Sequence, residues 1–211
     1  AKLFINVGME YEAITMLDKE VSDQTHTLNT IRFLAYYSNV LGNHRKAQKY
    51  YSYLFATGNI TREEKIMYCK SLQYLGLWED VYSVRKTINP LNLNDEIEMA
   101  IAAYKANNFK SLKESIQQIY SSYPNNDIAE TLDLLFIQTD LHDSELDEKL
   151  SKLFKKPNIE IRTITLIEEY LLKHSDSTRI AKLIESLPGK YKKNPEIQLI
   201  IYKLHKMQGD F

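Results

Sequence analysis

Apolar residues recur along this chain at i, i+4 and i+7, the spacing that lines one face of an α-helix rather than one side of a strand. The stripes read Ala47, Tyr51 and Leu54; Leu112, Ile116 and Ile119; Leu146, Leu150 and Leu153; Ile180, Ile184 and Leu187. No segment alternates with the period of two that a half-buried strand would show. The stripes are themselves periodic. Gly8, Gly42 and Gly76 stand 34 residues apart, and each is followed five positions later by a small or β-branched residue, Ala13, Ala47 or Val81. Asn107 with Leu112 comes 31 residues after Gly76, and steps of 34 resume at Leu141 with Leu146, Ser175 with Ile180, and Gly209, so one three-residue deletion explains the whole ladder. Two stripes are weaker: Arg85 stands between Val81 and Ile88, and Glu20 follows Ala13 and Leu17.

Helix breakers fall in the same frame. Pro90, Pro124, Pro157, Pro188 and Pro195 and all six glycines lie at or beside predicted helix ends, where proline breaks no internal hydrogen bond and glycine tolerates positive φ. Thr61 to Glu64 has capping-box spacing, and Asn94-Asp95-Glu96 sets a cap and acids at the positive end of a helix. The spacing predicts about twelve helices, paired as A and B in each unit and joined by short connections. A period of this length marks a helical array in which each pair buries its apolar faces on its neighbours. The fold class is therefore all-α, a solenoid of about six helix pairs. Helices A line its concave surface and helices B the outer one, and residues 1–211 form a single array.

Composition narrows the chemistry. The 27 Lys and Arg against 28 Asp and Glu leave a net charge of -1, which supplies no overall field toward phosphate backbones or anionic lipid, so no nucleic-acid partner is expected. The basic cluster Lys190 to Lys193 around Tyr191 reads as a solvated loop. No window approaches the apolar length of a membrane span, and Leu3 to Val7 is too short for a secretory core. Cys69 cannot make an internal disulfide, and it reads as a compact core residue. His26, His44, His142, His174 and His205 lie in different units without metal-ligand spacing and read as dispersed surface residues. The carboxylates Glu168 and Glu169, and Asp143, Glu145, Asp147 and Glu148, read as capping and solvation. No glycine-rich phosphate loop or nucleophile elbow occurs, so no catalytic residue, cofactor or metal is expected. Fifteen tyrosines are many for this length; Tyr51 falls on a core stripe, Tyr36 off it.

The 34-residue step, the glycine at the A-to-B turn, the segment Leu41-Gly42-Asn43-His44-Arg45-Lys46-Ala47-Gln48-Lys49-Tyr50-Tyr51 and the closing turn Tyr123-Pro124-Asn125-Asn126 resemble the tetratricopeptide repeat family (TPR). The resemblance is more regular over 1–126, where Leu34 with Ala35, Cys69, and Met99 with Ala100 stand near the family's close-packing positions. It is more divergent over 127–211, where Leu134, Glu168 and Tyr202 take the small-residue slot. It implies a right-handed α-α superhelix and a non-enzymatic interaction scaffold that binds a peptide or partner protein in the concave groove. The family's groove positions correspond to Asn29, Arg32, Tyr36 and Asn39 in the second unit. In the third they correspond to Glu63, Ile66, Lys70 and Gln73, and in the fourth to Asn94, Ile97, Ile101 and Tyr104. Tyr36 and Tyr104 would stack on the partner while Arg32, Asn39 and Lys70 make polar contacts; the full basic and Asn pattern of the family's carboxylate clamps is not reproduced.

Two other readings stay open. The chain opens at Ala1 and returns to the ladder at Gly209, which suggests a fragment of a longer protein. With its bacterial-looking wealth of Lys, Asn, Ile and Tyr, it could be the periplasmic TPR portion of an envelope or exopolysaccharide export protein, preceding an outer-membrane domain. Its partner would then be a polysaccharide or an envelope complex. A catalytic domain following residue 211 is the other. Cytoplasm and periplasm are equally open.

Overall fold

The computed structural model of the chain describes residues 9–22, 27–89, 91–137, 142–174 and 176–208. Gly8, Leu141, Ser175 and Gly209 of the ladder, with Leu3 to Val7, His26 and Pro90, lie outside the described residues. Among the described residues there are twelve α-helices, one 3₁₀ turn and no strand. They fall into two compact units, Ala1–Asn108 and Phe109–Phe211. The division comes at the turn that ends with Asn108.

The first unit holds α1 (Glu10–Ser22), α2 (Leu28–Val40), α3 (His44–Ala56), α4 (Arg62–Tyr74), α5 (Trp78–Arg85) and α6 (Leu93–Lys105). Helices α2, α4 and α6 are helices A, and α1, α3 and α5 are helices B. Each connection is short because local chemistry ends one helix and starts the next. Gly42 and Gly76 take φ of +74° and +71° at the A-to-B turns, and Asn107 takes +55° at the equivalent place after α6. Asparagine tolerates this left-handed conformation better than other non-glycine residues, so the register deduced across the three-residue deletion holds in three dimensions. Nothing lies within 4 Å of a Cβ built on Gly42 or Gly76; it is conformation, not space, that asks for glycine there. At the starts, Asn43 accepts a hydrogen bond from the Lys46 amide, and Thr61 and Glu64 close a reciprocal capping box. The cap of α6 lies two residues earlier than the sequence suggests. Asn92 forms the box with Asp95, so Asn94 is inside the helix.

The core of this unit joins Leu34, Ala35, Ala47, Tyr50, Tyr51, Leu54, Cys69, Leu72 and Val81. Fully burying one leucine or tyrosine of this kind stabilises by about 1.5–3 kcal/mol. The small residues at 35 and 47 let the helices approach, and the two tyrosines fill the space beside them. Tyr50 keeps its hydroxyl satisfied by donating to Asp18 on α1.

The second unit holds α7 (Phe109–Ser122), α8 (Asp127–Ile137), α9 (Asp143–Phe154), α10 (Ile161–Lys173), α11 (Ser177–Glu185), the 3₁₀ turn Gly189–Lys193 and α12 (Pro195–Gln208). All the stripe residues of α7, α9 and α11 are buried, with Leu187 beyond them. At the small-residue slot, Leu134 and Glu168 are buried while Tyr202 is 56% exposed. Glu168 is accommodated because Lys203, on the next helix A, donates to it at 3.2 Å. The basic cluster departs from its expected reading as a solvated loop. Tyr191 is buried and donates to the Ile159 carbonyl at 2.8 Å, so the flanking lysines decorate a docked turn. Its polar sequence concealed a single aromatic anchor.

Candidate functional site

The groove positions of the first unit lie on α2, α4 and α6, and α2 packs against α4 as well as its own partner α3. Three polar members of the set are committed to neighbouring repeats. Arg32 donates from Nη2 to the Asn59 carbonyl at 2.7 Å, and its Nε lies 3.0 Å from Glu64, the carboxylate that also caps α4. Asn39 donates from Nδ2 to the Met67 carbonyl at 3.4 Å, while its Oδ1 faces His44 Nδ1 at 3.2 Å. Gln73 donates to Glu98 at 2.9 Å. Apart from the Asn39–His44 contact, each runs from one helix A toward the next repeat, so these side chains hold neighbouring repeats together. Ile97 and Ile101, at 4% and 8% exposure, are buried and present no groove surface. Asn29, Glu63, Asn94, Tyr36 and Lys70 remain exposed, and Ile66 and Tyr104 are half-buried.

Tyr36 and Lys70 occupy the same register position one 34-residue step apart. Tyr36 is 50% exposed, and its ring meets Tyr37 edge-on with centroids 5.1 Å apart. That packing holds an aromatic face ready at little entropic cost. Lys70 is exposed and forms no ion pair among the described residues. The pair combines a stacking surface with a mobile cation.

Sequence reasoning missed the most buried polar assembly. Arg85, the residue that interrupts the stripe of α5, donates from Nη1 to Asp95 at 3.1 Å and lies 3.6 Å from Glu98. Arg62, at the start of α4, also donates to Asp95. The network ties α4, α5 and α6 across a closed interface. Its signal was available: an arginine at a core position demands a carboxylate, and Asp95 stands at N3 of the following helix. His44, half-buried, also differs from a free surface histidine, since it stacks on Tyr74 with centroids 4.0 Å apart.

Cys69 lies fully buried on α4. Burial pushes its thiol up to about 11, although Arg85 acts in the opposite sense. The unfolded thiol ionises near 9.0, so burial contributes stability that is fully present below that pH and is lost as pH rises through about 11. At pH 8 the native thiolate fraction is about one in a thousand, and alkylation should be slow. Labelling by a thiol disulfide reagent in native buffer and in urea checks this; equal rates would show that Cys69 is accessible.

Among the described residues no three His, Cys, Asp or Glu side chains converge as a metal site would need, and no helix is long and apolar enough to cross a membrane. The fold and its repeat register define an all-helical array of TPR-type helix pairs. In line with this, the chain is similar in structure to a tetratricopeptide repeat protein from Parabacteroides merdae ATCC 43184. The TM-score is 0.52 at 16% identity, over 97% of this chain and 81% of that one. No family profile matches the sequence, and no curated protein is similar to it in sequence.

Proposed function

We propose that the chain is a non-enzymatic scaffold that holds a peptide or partner protein on the α2–α4 face of its first unit. The observation that carries the reading is the exposed pair Tyr36 and Lys70, set at equivalent positions of adjacent helices A and free of the ties that occupy Arg32, Asn39 and Gln73. Arrays of TPR type are generally interaction modules without chemistry of their own, which favours binding over catalysis. Asn29 and the half-buried Ile66 and Tyr104 would extend the contact. Arg32 and Asn39 support it from beneath rather than clamping a carboxylate. No observation favours the envelope-export reading over this one.

The test is affinity capture from host lysate with the parent chain, Tyr36→Ala/Lys70→Ala, and Lys49→Ala on helix B as control. The double variant should recover at least about tenfold less of a specific partner, the scale of a lost hot-spot anchor, with an unchanged melting temperature. Equal loss with Lys49→Ala would remove the α2–α4 face from consideration.

A further inference from the structure

The second unit contains a carboxylate at a position the repeat keeps apolar. Asp133 on α8 stands where Leu34, Tyr68, Met99 and Ile167 are buried in other helices A. It opens into a pocket of about 280 Å³ lined by Lys113, Ile116, Gln117, Tyr120, Asp133 and Phe136. Ile116 is buried at the back, and the Phe136 ring is steadied by Phe109, with centroids 5.6 Å apart. Asp133 is half-buried, accepts no hydrogen bond and forms no ion pair among the described residues. A carboxylate drawn partly out of water with no hydrogen bond, and with the cations Lys149 and Lys113 acting only from a distance, is destabilised in its charged form, and a cation brought into contact regains that loss.

We infer that this pocket between α7 and α8 binds an ammonium or guanidinium group on an alkyl stem, as on a lysine or arginine side chain, with Asp133 as counter-ion. The stem would lie on Ile116 and Phe136, and the cationic head beside Asp133 and the ring of Tyr120. Burial pushes the Asp133 carboxyl above its ordinary value, while Lys149 and Lys113 act in the opposite sense. Burial, then Asp133 and Glu130, push the Tyr120 hydroxyl up to about 12, so it remains protonated at neutral pH. Lys156 is held by Asp127 and Glu130, each at 2.7 Å, and does not compete. Lys149 and Lys113 do compete for Asp133, but both are exposed and their flexible stems can carry the ammonium into water.

The experiment is an amide NMR titration of the whole chain with N-acetyl-lysine amide, N-acetyl-arginine amide and cadaverine, with N-acetyl-norleucine amide as the uncharged isostere. Saturable shifts confined to α7 and α8 are expected for the cations at millimolar concentration and not for norleucine. A preference for cadaverine would support the same site and assign it to free amines rather than protein side chains. Asp133→Asn should weaken binding about tenfold, the scale of one charge-assisted contact, and Lys113→Gln should strengthen it. Asp133→Asn removes a charge that no hydrogen bond or close ion pair holds and should keep its melting temperature. Equal binding of norleucine amide, unchanged affinity in Asp133→Asn, or no saturable shift with any cation would each overturn the inference.

Discussion

Asp95→Ala lowers the unfolding free energy of the first unit by about 3–5 kcal/mol, seen as an earlier urea transition. The residue is 2% exposed and Arg85, 4% exposed, is equally enclosed. The Asp95 carboxylate accepts from Arg85 and Arg62 and, at 3.4 Å, from the Asn92 amide that begins α6. Without it the Arg85 guanidinium would keep Glu98, at 3.6 Å, as its one carboxylate among the described residues, and its Nε already lacks a hydrogen-bond partner. A buried cation stripped of its counter-ion is the costly outcome; the pair itself gains little over apolar residues of the same volume. Arg85→Met/Asp95→Ala should therefore recover a large part of the loss, and the non-additivity is the diagnostic feature. A single-variant loss below about 1 kcal/mol would mean that water reaches the pair.

In the second unit, Phe154→Ala should cost about 3–5 kcal/mol by leaving a cavity at the end of α9. Phe154 is buried in one cluster with Leu150, Ile159, Ile164, Ile167 and Ile180, so helices α9, α10 and α11 share the gap. Amides of those three helices should exchange with solvent correspondingly faster. Tyr202→Ala removes an aromatic ring from the exposed face of α12 and should stay within about 0.5 kcal/mol of the parent. Comparable losses from the two substitutions would contradict the burial assigned to them.

The architecture was legible because periodicity and turn chemistry agree. The glycine ladder, Asn107 after the deletion and the stripes of helices B all specify the same helix ends, and the stripes are buried as the spacing requires. The candidate face was legible only by position. Sequence register places Arg32, Asn39 and Gln73 on it, but whether a polar side chain there meets a ligand or the adjacent repeat depends on residues 25–28 positions away, such as Asn59, Met67 and Glu98. Arg85 looked like a weak repeat because a stripe considered alone does not contain its counter-ion, which belongs to the next helix. Tyr191 was hidden for a related reason: one buried ring among lysines leaves no periodic trace.

Glu64 and Asp95 occupy the same place in successive repeats, and each serves at once as the N3 acid of a capping box and as the anchor for an arginine from the preceding helix A. The arginines, however, start from different places, Arg32 within α2 and Arg62 at the first residue of α4. Neighbouring modules are thus keyed to one another, and permuting or duplicating them would set a shorter carboxylate before the wrong guanidinium. The order of these repeats in the first unit is written in their charges, even where the apolar stripes would be interchangeable.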